Sequence, residues 1–402
     1  MLSWDQTPGL ASMRCCRAWV EINLAALQHN VEQLRGMLAN TTDLMAVVKA
    51  DAYGHGAVTV ARTALQAGAA WLGVATVPEG MELRQAGIQA PILVMGAVNS
   101  VEEMHAIAHW NLQPTLVTPK QALVFSDALC SRSEALAAPI PVHLKLDTGM
   151  SRLGFPWQQA VEFVQFVQRL PRVQIASLYS HFATADSLDQ TTLRLQQQRF
   201  DQAVAALREQ QICPPRLHLA NSAAALTDAH LHHDLVRVGL ALYGLYPAVH
   251  LRSQITLHSV MQVKARITHI QEIPAGTGVS YGHQFVADRP MRVAVVGIGY
   301  ADGVPRALSN QMQVLVKGKQ VPQIGAITMD QLMLDVTSVA ALQAGDIVTL
   351  LGQEQGQAIT ADDWAALTGT ISWEILCGFK HRLPRIALEQ PLLMSSQTRS
   401  RD

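Results

Sequence analysis

Charge is scarce in this sequence. Asp, Glu, Lys and Arg together make up 15% of 402 residues, and their signs cancel to a formal net charge of −1. No long-range field therefore draws nucleic acid or an anionic membrane, and neither is expected as a partner. Long apolar runs are also missing; none reaches the length of a membrane span. The opening residues, "MLSWDQTPGLASMRCCRAW", lack the apolar segment of a secretory signal, so a cytoplasmic location is expected. Translation starts at Met1 or at Met13, and a start at Met13 makes residues 1–12 a dispensable tail. Cysteine numbers five (Cys15, Cys16, Cys130, Cys213 and Cys377), with no C-x-x-C pair. That argues against a structural zinc site and for free thiols in a reducing compartment; no metal is expected.

What is present is apolar material, 49% of the chain, enough for a large core in two or three domains. From about residue 24 to 245, eight short apolar runs alternate with helix-like segments. The runs are 44–49 "LMAVVK", 71–76 "WLGVAT", 91–96 "PILVMG", 114–118 "PTLVT", 141–147 "PVHLKLD", 173–179 "VQIASLY", 216–221 "RLHLAN" and 234–240 "DLVRVGL". They lack strict alternation, as parallel strands covered on both faces do. Eight β/α alternations in this length suggest a closed (β/α)₈ barrel of the TIM type; the alternative is an open doubly wound sheet. No G-x-G-x-x-G follows the first run, which argues against a dinucleotide-binding version. After about residue 255 the texture changes to short strands such as "RVAVVGIG", "MQVLVKG" and "DIVTLLG", with a helix-like insert near 360–368. The expected division is 1–255 for the barrel and 256–402 for a β domain. The strand-like "RAWVEIN" (17–23) is free to pair with either.

In a βα barrel, catalytic groups sit at the C-terminal ends of the strands. Lys49 ends the first run. Lys145 and Asp147 end the fifth, with Arg152 following. His181 and Thr184 follow the sixth, Asn221 and Ser222 the seventh, and Arg237 lies in the eighth before Gly239 and Gly244. The loops after strands seven and eight commonly hold phosphate, and a hydroxyl with free N–H groups at a helix start suits an anion. A lysine beside a phosphate anchor suggests pyridoxal phosphate. Each residue has a plainer role open to it: Ser222 an N-cap, Arg237 an ion-pair partner, His181 a satisfied core histidine, Lys49 a snorkelling strand-end lysine. Their convergence on one rim favours a site. His55 reads as structural.

The motifs "AVVKADAYGHGA", "LKLDTGMSRLG", "SHFATAD", "LANSAAAL", "VRVGLALYG", "VSYG", "GYADG" and "MDQ", in this order from about residue 17 to 388, resemble alanine racemase, a pyridoxal-phosphate enzyme of fold type III. The resemblance implies that Lys49 carries the cofactor and serves as one catalytic base, with Tyr281 as the second. Tyr53 and Ser222 match phosphate ligands, and Gly239 and Leu240 match residues that offer backbone N–H groups to it. Arg237 matches the arginine facing the pyridine nitrogen. Arg152 and His181 match residues bordering the ring, and Arg152 also borders the substrate. Tyr300, Met329 and Asp330 match the substrate pocket and its entrance. Lys145 matches a lysine carbamylated in some members. The resemblance further implies a homodimer with shared sites, in which Tyr281 serves the partner's cofactor, and a role in supplying D-alanine for peptidoglycan. Two positions depart from the pattern. His381 stands where several relatives have a phosphate-binding tyrosine, and Thr328 where some have cysteine.

The chemistry fits these residue types. Inversion at a carbon needs a proton removed from one face and returned to the other, hence two bases. A free tyrosine titrates near pH 10, so Tyr281 needs positive charge nearby, which Arg152 is placed to supply. A guanidinium does not readily give its proton to a ring nitrogen, which separates this reading from a related barrel decarboxylase with a carboxylate there. A broad-specificity racemase and a non-catalytic cofactor carrier remain as alternatives. The carrier needs no second domain with Tyr281.

Overall fold

The computed structural model describes residues 16–131, 138–379 and 381–389. Met1, Met13 and Cys15 lie outside the described residues. The described residues separate into two compact units: those within 27–52 and 57–258 form one, and those up to Ala26, Tyr53–Gly56 and those from Ser259 onward form the other.

The first unit is the barrel. Its strands are Asp43–Val47, Trp71–Val74, Ile92–Ala97, Gln113–Leu116, Ile140–Asp147, Val173–Tyr179, Leu217–His218 and Leu235–Val238. All neighbours pair in parallel, and the eighth strand pairs with the first, Leu235 opposite Asp43 and Val238 opposite Ala46. An open doubly wound sheet has no such pairing. Between the seventh and eighth, the Asp234 N–H donates to the Leu217 carbonyl and the Arg237 N–H to the Ala220 carbonyl, both at 3.0 Å, which nearly closes the ring. The outer helices include Ala57–Gln66, Val101–His109, Ala160–Gln168 and Thr191–Glu209.

Strand alternation decides what fills the barrel. Met45, Trp71, Leu93 and Leu235 form one apolar cluster inside. Along the fifth and sixth strands, His143 is opposite Ser177 and Lys145 opposite Tyr179. The i, i+2 spacing thus sends a polar pair and then a cation–aromatic pair towards the C-terminal rim.

The second unit is built on a nine-stranded sheet with Met261–Ile273 as its long spine. Ala18–Asn23 pairs antiparallel with that spine, Ala18 opposite Ala265, and parallel with Arg385–Leu388, Val20 opposite Arg385. This answers where "RAWVEIN" goes: all six strand residues are buried between two neighbours. A compact cluster of Ile273, Val279, Met291, Val293 and Ile324 packs one side. The helix-like insert is Ala361–Thr368, begun by a reciprocal cap between Thr360 and Asp363 and followed by a second helix, Ser372–Gly378.

Candidate active site

Lys49 follows the first strand by two residues and opens a single helical turn, Lys49–Gly54. The turn is left-handed: Ala50, Asp51 and Ala52 have φ of +53° and Tyr53 +55°. In L-residues this conformation costs about 1–2 kcal/mol each, so four in a row require compensation. Glu79 supplies part of it, its Oε1 accepting the Ala50 N–H at 2.8 Å. Asp51 Oδ1 accepts the Ala57 N–H at 2.8 Å, and the Ala52 N–H returns to the Val48 carbonyl. Gly54 (φ +84°) ends the turn where a Cβ would stand 2.6 Å from the Leu376 carbonyl oxygen, so only glycine fits. Tyr53 and His55 are grouped with the strand unit. There, burial and then the neighbouring Cys377 push the Tyr53 phenol up to about 12. His55 is buried, its Nδ1 3.1 Å from the Tyr53 carbonyl.

Arg237 is 4% exposed at the inner end of the eighth strand. One terminal nitrogen bonds His218 Nδ1 at 2.9 Å. The other donates to the carbonyls of Ser180 (2.8 Å) and Leu219 (3.1 Å) and approaches His181 Nδ1 at 3.1 Å. Its face lies 5.1 Å from the Tyr179 ring centroid, and that ring stacks on His218 at 4.6 Å. Among the described residues no carboxylate pairs with it, so it is not the ion-pair partner a buried arginine usually is. Burial lowers its pKa only to about 10, so it keeps its charge. His181 is pushed down to about 2 by burial and by the charges of Arg237, Lys145, Arg152 and Lys49. It is therefore a neutral imidazole.

Lys145 lies 5.4 Å from the centre of the Tyr179 ring. Burial first, then Arg237 and Arg152, push its ammonium down to about 8; only Asp147 opposes. Asp147 also shapes the loop that carries Arg152, its Oδ1 accepting the N–H groups of Gly149, Met150 and Ser151. Ser222 is not a cap: Asn221 is the N-cap of Ser222–Thr227, its side chain accepting the Ala224 N–H at 3.0 Å. The Ser222 hydroxyl instead accepts the Gly239 N–H at 3.0 Å, tying the seventh loop to the eighth. Leu240 opens the short helical turn after Gly239. On the sixth loop the Thr184 hydroxyl is buried and has no hydrogen-bond partner.

The remaining candidates lie in the strand unit. Tyr281 is 75% exposed, Met329 53% and Tyr300 42%. Tyr281 sits between Ser280 (φ +63°) and Gly282 (φ +71°). The Ser280 hydroxyl donates to the Ala326 carbonyl, and the N–H groups of Tyr300 and Ala301 donate to the carbonyls of Thr328 and Met329, so the three loops are zipped together. Under them the fully buried Asp302 carboxylate takes Arg17 at 2.7 Å, Arg382 at 3.5 Å and the Gly299 N–H at 3.0 Å. Arg382 also bonds Asp330 at 2.6 Å. His381 is exposed beside it.

Sequence reading missed His143, Ser177, Tyr179, His218 and Asp302. The first four had a signal: a polar side chain in the middle of "PVHLKLD", "VQIASLY" and "RLHLAN" has to point somewhere, and two-residue spacing sends each into the barrel. Asp302 had only its place between two glycines.

Comparison with known proteins gives the family. Residues 22–247 match the alanine racemase N-terminal domain and residues 260–387 the alanine racemase C-terminal domain. The alanine racemase of a Nostoc species is 65% identical over 372 residues, spanning 92% of this chain and 96% of the relative. That of a Synechocystis species is 62% identical, spanning 92% and 99%. Among solved structures, the Clostridium difficile alanine racemase superposes with a TM-score of 0.87 at 33% identity, over 93% of this chain and 96% of that one. The Bartonella henselae alanine racemase, solved with covalently bound pyridoxal phosphate, gives 0.81 at 29% identity, over 93% and 100%. The chain belongs to the alanine racemase family.

Proposed function

We propose that the protein interconverts L-alanine and D-alanine, holding pyridoxal 5′-phosphate at the barrel mouth. The observation that carries this, beside the family, is a buried guanidinium that no carboxylate pairs with, set among Lys49, Lys145 and Arg152. That rim carries an excess of positive charge, with Asp147 as its counter-charge. Its donor set suits the cofactor: Lys49 to carry it, Arg237 to face the ring nitrogen, and Tyr53, Ser222, Gly239 and Leu240 on the phosphate side. The orphaned Thr184 hydroxyl marks polar space still to be filled. When bound, pyridoxal phosphate supplies the electron sink that acidifies the α-proton of an attached amino acid.

The chain's own groups do the rest. Lys49 Nζ takes or returns a proton on one face and the Tyr281 hydroxyl on the other. Arg237 would face the ring nitrogen and, as a guanidinium, keep its own proton, so the cofactor would supply a weaker sink that favours simple proton return. Arg152 and His181 border the ring. Lys145, lowered to about 8, gives up its proton more readily than a free lysine, and carbamylation needs that neutral form. Tyr300, Met329 and Asp330 border the substrate's entrance. In this reading Tyr281 serves a partner subunit, in a homodimer with shared sites. Its exposure and the strained turn that holds it outward support that assignment. The proposed setting is cytoplasmic supply of D-alanine for peptidoglycan.

The test is a racemisation assay of the purified protein across amino acids. Equal end-points from L- and D-alanine, with alanine turned over fastest, are expected. Carbon dioxide release in place of inversion would select the decarboxylase. Comparable rates on many amino acids would select a broad-specificity racemase.

A further inference from the structure

Behind Arg237, a file of buried polar side chains crosses the barrel interior away from the rim. His218 Nε2 is 2.8 Å from Ser177 Oγ, Ser177 Oγ is 2.6 Å from His143 Nδ1, and His143 Nε2 is 2.8 Å from Gln113 Oε1. His218, Ser177 and His143 are wholly inaccessible to solvent. Sequence reading assigned none of the four a role, and the proposed chemistry uses none of them.

The two ends fix every proton between them. A guanidinium has only donors, so His218 Nδ1 must present its lone pair to Arg237 and carry its proton on Nε2. Ser177 then accepts from His218 and spends its own hydrogen on His143 Nδ1. His143 in turn carries its proton on Nε2 and donates to the Gln113 carbonyl oxygen, which only accepts. Burial pushes the His143 imidazole down to about 3, with help from the Arg216 charge, and lowers His218 as well, so neither gains a second proton. The order Arg237 → His218 → Ser177 → His143 → Gln113 is the one that gives every polar hydrogen along the file an acceptor, because a Ser177 accepting from both histidines would leave its own hydrogen unused.

We propose that Gln113, His143 and Ser177 are positioning residues that act through His218 to hold Arg237 against the cofactor ring. The role at the ring rests on the reading above; the order of protons does not. Among the described residues no carboxylate sets the orientation of Arg237, and neutral acceptors do it. Reversal at His218 would place its Nδ1–H against an N–H of Arg237 in a dry interior, and Ser177, His143 and Gln113 hold His218 against that reversal.

The experiment uses the holoenzyme with nitrogen-15 in its histidines, each resonance assigned with a single His→Gln variant. Long-range proton–nitrogen spectra should show His143 and His218 as neutral imidazoles protonated on Nε2 throughout the neutral pH range. Ser177→Ala removes the middle link. His143 should then show both tautomers, because the Gln113 amide is free to flip. The kcat should fall about tenfold in both directions with little change in the KM for alanine, the scale of one lost hydrogen bond. Ser177→Thr keeps the hydroxyl and should restore both readouts. A proton on Nδ1 of either histidine in the unmutated enzyme would overturn the proposal, and this holds even if Ser177→Ala does not fold. So would Ser177→Ala with unchanged tautomers and unchanged kcat. The predicted spectrum in a protein that does not racemise alanine would leave the proton order standing and remove the activity.

Discussion

Arg237 and Tyr281 stand at opposite extremes of this molecule. Arg237 is buried, and its hydrogen bonds go to two carbonyls and two imidazoles of its own barrel. Tyr281 is 75% exposed on a turn whose flanking residues are held at positive φ. The barrel mouth has its buried guanidinium hydrogen-bonded within one unit. The strand-unit loops are rigidly zipped to each other, yet present their aromatic and apolar side chains to solvent. Rigidity without burial is what a surface needs if it is to complete another site. The comparison teaches that the two halves of the proposed chemistry are stabilised differently and should fail differently.

The largest effect is expected at the exposed half. Tyr281→Phe removes one hydroxyl from a surface side chain, so stability should barely change, while racemisation falls about 10²–10⁴-fold in both directions. Proton NMR in D₂O should still show α-proton exchange from D-alanine, through Lys49, far faster than from L-alanine. Equal exchange from both enantiomers would remove Tyr281 from the mechanism.

At the buried half, Lys145→Met should have the opposite profile. The folded pKa of Lys145 is depressed to about 8 from its usual 10.5. Between those values the unfolded chain binds more protons, so wild-type stability rises with pH there. Below about 8 the burial cost is fully present, and the Met variant should be more stable by about 3 kcal/mol in carbonate-free buffer. That advantage should fade as pH climbs towards 10.5. Denaturant midpoints at several pH values check this; a gap that does not narrow would mean Lys145 is not held down.

Asp302→Asn keeps the shape of the buried side chain but removes the charge bonded to Arg17 and Arg382. The expected loss is about 2 kcal/mol, read from the urea midpoint, because hydrogen bonds between charged groups are the stronger kind. The smallest effect is a gain. Ala50→Gly relieves a residue at φ +53°. Relief of about 1–2 kcal/mol, less about 0.5–1 for glycine's extra freedom when unfolded, leaves a net gain of up to about 1.5 kcal/mol in thermal unfolding. A loss would mean that the left-handed turn is not strained.

Much of this was legible in the sequence, for identifiable reasons. The eight barrel strands appear as eight apolar runs because burial on both faces leaves a continuous signal. The rim residues follow because strand ends point at one rim. The left-handed turn after Lys49 was not legible: nothing in "ADAY" marks left-handed backbone, which rests on the contacts of Glu79 and Asp51 and the tight fit of Gly54. Ser222 as an N-cap, the plainer alternative to a phosphate ligand, does not hold: Asn221, one residue earlier, takes that place. Helices Val77–Gln85 and Pro119–Cys130 were not singled out either, although each has threonine just before a first turn containing proline. The pairing of Ala18–Asn23 depends on strands more than two hundred residues away, which no local pattern encodes.

The central claim is that Lys49 and Tyr281 work on one substrate from two different chains. Lys49→Ala and Tyr281→Phe proteins, each inactive alone, should be mixed under conditions that exchange subunits, and exchange verified by mass labelling. Each mixed dimer then holds one site with both residues intact. The account predicts that alanine racemisation reappears in proportion to the mixed dimer, towards half the wild-type rate per dimer. Verified exchange with no recovered activity would contradict it and place both bases within a single chain.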